Sequence, residues 1–142
     1  MASKHQTLPP AKTLEQIVHS IGIYPKDAYD FVQHGLAFTA HRIHGEPKVD
    51  RGRKSPRHVS GQQLCEGLRD YALTQWGLLA RAVLRQWNIT STLDFGRIVF
   101  AYIEAGLMQK TDDDNLDDFK DVFDFRTAFE SGYRIGAEPA CG

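Results

Sequence analysis

The sequence predicts an all-α single domain of five or six helices with little or no sheet. Three observations predict it. Apolar residues recur at helical spacing in successive segments. Those segments open on capping residues and close on glycine or asparagine. The chain of 142 residues, 42% hydrophobic and 25% charged, has the size and composition of one globular domain that needs no disulfide or metal to hold its core.

Residues 1–12 are polar, contain Pro9-Pro10, and read as a flexible arm. Thr13 caps a short helix over 14–21 that stops near Gly22. Pro25 suits a first helical turn, where its missing N–H costs nothing. Ala28, Phe31, Val32, Leu36, Thr39 and Ile43 then share one side of a helix running from about 25 to 44 and ending at Gly45. Residues 45–58 hold two prolines, two glycines and five Lys/Arg with no periodicity, which predicts a mobile basic loop.

Ser60 and Gln63 form a capping box before a stripe of Leu64, Leu68, Tyr71, Ala72 and Trp76. The helix bends at Gly77, and a second segment covers 78–87. Asn88-Ile89-Thr90 reads as a turn, and Ser91 with Asp94 starts the next helix. Over 93–105 apolar residues cover more than half the circumference, so this helix is central and buried. Gly106 is placed as its left-handed cap, with Leu107 folding back. Residues 107–112 read as extended, a last helix from Asp114 or Asn115 to about 130, and 131–142 as a flexible tail. Segment 78–110 has the spacing of a helix-turn-helix, with an extended piece where a wing would begin.

No apolar run approaches the length of a membrane span. The polar start has no secretory core. Cys65 and Cys141 make no disulfide framework, and Cys65 reads as a small buried side chain. The chain is expected to be cytoplasmic, with no membrane association and no cofactor. It has no G-x-S-x-G elbow, no cysteine in a catalytic motif and no phosphate-cradling glycine loop. These absences name no catalytic residue and lean away from an enzyme.

Charge is distributed unevenly. Residues 1–100 carry 13 Lys+Arg against 8 Asp+Glu, whereas 101–142 carry 4 against 10. The stretch 111-TDDDNLDDFKDVFDF-125 holds seven aspartates. Counted from Asp113 it places oxygens at calcium-loop positions 1, 3, 5, 9 and 12. The template breaks at Asp118, where glycine is needed, at Lys120, where the residue is apolar, and at Asp124, where glutamate is needed. Leu116, Phe119, Val122, Phe123 and Phe129 instead keep a helical stripe. The reading is a capped helix whose surplus acids Asp117, Asp121 and Asp124 share a face and offer a partner surface. Like charges so placed repel mildly, and Arg51, Arg53, Lys54 and Arg57 of the basic loop, or another protein, would relieve them.

Two weaker constellations remain. Asp30, His34 and His41, with His44 nearby, lie on the polar side of the second helix and could ligate a metal, but no second ligand motif accompanies them. A solvated helix face is the preferred reading. Nucleic acid could bind the basic loop through Arg51, Arg53, Lys54 and Arg57. Binding through helix 93–105 is disfavoured, because Asp94, Arg97, Ala101 and Glu104 make a poor groove reader.

Several motifs together resemble one group of proteins. They are Arg57-His58-Val59-Ser60-Gly61, Trp87 followed by Asn88-Ile89, Asp94-Phe95-Gly96 leading into Ile98-Val99-Phe100, and Asp117-Asp118-Phe119 through Asp124-Phe125. With YPKDAYDFVQHGL they cover about residues 24–130 and resemble a small family of bacterial proteins of unassigned function, found mainly in Planctomycetes and Verrucomicrobia. Asn88 departs from that pattern, which often has glycine there. The resemblance implies a bacterial cytosolic protein and brings no activity with it. The expected function is a non-enzymatic helical interaction module that binds an unidentified protein partner. Nucleic-acid binding is the alternative and a metal-dependent enzyme the weaker one.

Overall fold

The computed structural model describes residues 1–3, 13–46, 49–50, 53–54 and 58–131. Five helices carry the fold: α1 (Leu14–Ile21), α2 (Lys26–His44), α3 (Gly61–Trp76), α4 (Ala80–Gln86) and α5 (Thr92–Glu104). Two minimal antiparallel pairs accompany them: β1 (Ala2–Ser3) with β4 (Met108–Gln109), and β2 (Val49–Asp50) with β3 (Arg53–Lys54). The all-α single domain is as the sequence predicts.

The helix boundaries follow local chemistry. Thr13 and Ser60 each close a capping box, with Gln16 and Gln63 reaching back to the cap N–H at 2.9 Å in both cases. The carboxylate of Asp94 takes the N–H groups of Thr90 and Ser91 at 2.9 and 3.1 Å, so it holds the start of α5. The α4 and α5 C-termini end alike. Asn88 and Gly106 sit at φ 66° and 75°, and the next residue donates back to the carbonyl of Leu84 or Tyr102 at 2.9 Å. This is the left-handed closure that gives last-turn carbonyls partners.

The core is one cluster. α5 runs through it, with Phe95, Ile98, Val99, Ala101 and Tyr102 buried. The longest shared contact is between α2 and α3, which cross at small residues. A Cβ on Gly67 would stand 1.9 Å from Thr39 Oγ1, and one on Gly35 would stand 2.1 Å from Leu68 Cδ2. Backbone approach of this closeness requires glycine.

Three expectations need correction. Residues 1–3 are not part of a loose arm: Met1 is wholly buried, its ammonium donates to the Val59 carbonyl, and β1 pairs with β4. Burial of the Met1 side chain supplies the apolar gain that holds this strand. The pairing also removes the wing, because β4 takes β1 as its partner and not a hairpin strand that follows. Only Arg97 and Glu104 of α5 are exposed, so the helix offers little surface to a groove. The third is the last helix: in place of one helix from Asp114 or Asn115, the chain forms a 3-10 turn at Leu116–Phe119 and a π-type turn at Thr127–Ser131. Residues 4–12 and 132–142, and Arg51 and Arg57 of the basic loop, lie outside the described residues.

Candidate functional site

The predicted acidic face is not a helix face. Leu116–Phe119 is one 3-10 turn, Lys120 is extended, Asp121 is left-handed at φ 52°, and a short π-type turn follows at Thr127–Ser131. Asp117, Asp121 and Asp124 are therefore exposed on three different local structures. Asn115 caps the 3-10 turn and Asp118 closes its capping box, but the turn ends where Lys120 is extended and Asp121 left-handed. Asp118 takes the Asn115 N–H at 3.0 Å, and Asp124 takes the Thr127 N–H at 3.1 Å. Phe119 then fills a hollow against Gly96 and Gly61. Thr92 locks it, donating to the Phe119 carbonyl at 2.6 Å and accepting from the Val122 N–H at 3.1 Å.

Asp114 is the acid of this run that the fold uses internally. It is buried, and its Oδ2 accepts from His58 Nε2 at 3.0 Å and the Thr111 N–H at 2.9 Å, with the Met1 ammonium 3.6 Å away. Burial alone would push its carboxyl up. The hydrogen bonds from His58 and Thr111 and the Met1 charge outweigh burial and hold it below its ordinary value. Such a carboxylate gives stability that is complete above the unfolded value of about 3.9 and is lost as pH falls through the folded one. Asp114→Asn is expected to lower stability at neutral pH by about 1 kcal/mol and to flatten the acid limb of the stability curve. An acid limb as steep in the variant as in the native protein would remove Asp114 from this role.

The metal candidates do not converge. His41 Nε2 lies 2.6 Å from Glu46 Oε1, and Asp30 pairs with Lys26 at 3.4 Å. Among the described residues no group of three or more His, Cys, Asp or Glu is arranged to hold an ion. Cys65 is fully buried in the core, and burial raises its thiol well above the ordinary value, so it is no nucleophile.

What the structure does assemble is an open cleft of about 180 Å³ between α2, α3 and the end of α4. α2 supplies Asp27, Asp30, Phe31 and His34, which fall at i, i+3, i+4 and i+7 and so share one side. α3 supplies Tyr71, Gln75 and Trp76, and Trp87 follows α4. Phe31 is the buried floor. Its ring centroid lies 5.6 Å from Tyr71, 5.5 Å from Trp76 and 5.9 Å from Trp87. The two indoles meet edge to face, 5.5 Å apart at 79°. Asp27, His34 and Gln75 are exposed at the rim, with Asp30 half-buried.

The cleft is held by specific local structure. Asn88 closes α4 and also donates from Nδ2 to the Ile23 carbonyl at 2.8 Å, which fixes the Trp87 turn against the entry to α2. Gly77, at φ 54°, lets α3 stop and turn immediately after Trp76. Sequence reasoning named Asp30 and His34 but missed the aromatic partners. Tyr71 and Trp76 read as core stripe, and only the packing of three elements turns them into walls. The available signal was a stripe on α2 that mixes carboxylates with Phe31, together with two tryptophans, Trp76 before the Gly77 break and Trp87 before the Asn88 turn.

No helix among the described residues is long and apolar enough to cross a membrane. No protein-family model, curated protein or solved structure matches this chain.

Proposed function

We propose that the protein is a non-enzymatic helical binding module whose binding site is the cleft between α2 and α3. The observation that carries this reading is the gathering of four aromatic rings and two carboxylates around one open hollow. Aromatic walls with a few convergent polar groups are what binding sites are made of. At about 180 Å³ the hollow is smaller than the roughly 300–1,000 Å³ that encloses drug-sized ligands. It therefore takes a head group or a single side chain and leaves the rest of the ligand or partner outside. Binding is favoured over catalysis because the cleft holds no nucleophile beside a base: its titratable groups are Asp27, Asp30, His34 and Tyr71.

The chain has two tryptophans and both line the cleft. Intrinsic tryptophan fluorescence thus reports on this site. Small aromatic-complementary fragments titrated into the protein are expected to change that signal saturably and to compete with one another. Trp87→Ala, with its fold checked by circular dichroism, is expected to bind them at least about tenfold more weakly, the order of a buried aromatic anchor. Unchanged affinity in that variant, or no saturable response to any fragment, would overturn the reading.

A further inference from the structure

We infer that the group taken by the cleft is a methylated ammonium, an inference that rests on reading the cleft as the binding site. The sign of the charge comes from the rim. The Asp27 carboxylate has no ion pair or side-chain hydrogen bond among the described residues. Asp30 has only Lys26, an exposed i,i+4 pair at 3.4 Å that an incoming cation can replace at small cost. His34 is the other basic group at the opening.

The methylation comes from the walls. Four of the eight lining residues are aromatic, Phe31 buried and Tyr71, Trp76 and Trp87 half-buried, and ring faces accept N–H bonds poorly. A primary ammonium is strongly hydrated and brings three donors, which ring faces match poorly. A methylated ammonium presents apolar methyl surface and spreads its charge over it. It gains from ring faces within about 6 Å of their centroids, the way aromatic sites recognise choline-like and methyl-lysine groups.

The test titrates choline chloride and tetramethylammonium chloride against the native protein by tryptophan fluorescence, with sodium chloride as the ionic control. Two comparators separate the claims: 3,3-dimethylbutan-1-ol, the neutral carbon isostere of choline, and ethanolamine, its unmethylated counterpart. Choline is expected to bind at least tenfold more tightly than either. Asp27→Asn with Asp30→Asn is expected to weaken choline several-fold and leave the isostere unchanged. Equal binding of the isostere would overturn the cationic claim, and equal binding of ethanolamine the methylation. Either outcome leaves the cleft standing as a site. No saturable response to any of the four probes would overturn the inference and the site together. A short neutral peptide carrying trimethyl-lysine, compared with free choline, assigns the source: tighter peptide binding points to a protein partner, tighter choline binding to a small molecule.

Discussion

Phe119→Ala is expected to destabilise the protein by about 3–5 kcal/mol, the range for removing a fully buried aromatic side chain. The ring has no exposure, and it is the piece that joins the acidic run to the core. Its neighbours cannot collapse into the space it leaves. Gly96 and Gly61 face it with no side chains of their own, and a Cβ at Gly96 would already lie 2.7 Å from the ring. The two Thr92 bonds that hold residues 119–122 depend on the same seating. Because whole domains are stable by only about 5–15 kcal/mol, the loss is a large share of the total. Urea unfolding should show a lower midpoint with an unchanged slope. A loss below about 1 kcal/mol would mean that the 116–122 segment is not anchored through this ring.

Gly67→Ala is expected to cost about 1–3 kcal/mol or more through overpacking, despite the roughly 1 kcal/mol that alanine gains over glycine in a helix interior. The new methyl would meet Thr39 at Oγ1, Cβ and Cγ2, at 1.9, 2.8 and 2.8 Å. Thr39 cannot rotate away freely. It is β-branched, and its hydroxyl donates to the Gly35 carbonyl at 2.7 Å. Gly35→Ala should cost less, because its closest neighbour is the mobile end of Leu68. Thr39→Ala should partly rescue Gly67→Ala in a double-mutant cycle, since the two positions touch. If both glycine variants melt like the native protein, α2 and α3 do not cross this closely. The cleft would then lose its frame, because both helices line it.

Local chemistry in the sequence accounts for much of the fold. Thr13, Ser60 and Ser91 mark helix starts that the structure keeps, and Gly22, Gly45, Asn88 and Gly106 mark ends at positive φ. These features involve residues within five positions of each other, so a single chain reveals them. The acidic run shows where periodicity misleads. Leu116, Phe119, Val122 and Phe123 have helical spacing, yet the turn capped by Asn115 and Asp118 ends at Lys120 and Asp121, whose extended and left-handed backbones break a helix. Phe119 is buried by a tertiary hollow, and no helix places it there. Docking of Met1 against Val59 and Asp114 spans 58 residues or more and leaves no local trace.

The cleft was legible only in part. Asp30 and His34 stood out as polar residues on one helix side, and the aromatic residues stood out as core. Their gathering around one cleft depends on Phe31 lying at the border between those two faces of α2. It depends equally on Asn88 tying the Trp87 turn to Ile23. The same residues had suggested a metal set with His41. His41 instead bonds Glu46, and His34 lies beside the ring cluster, so the three do not converge.

Cation binding in the cleft is tested most directly by a two-dimensional ¹H–¹⁵N spectrum of the native protein titrated with tetramethylammonium chloride against sodium chloride at equal ionic strength. Saturable shifts are expected of both indole N–H signals, Trp76 and Trp87, and of the amides around Asp30 and Phe31. Amides near Phe119 and Met108 should stay in place. Indole signals that do not move, or shifts spread evenly over the chain, would contradict it.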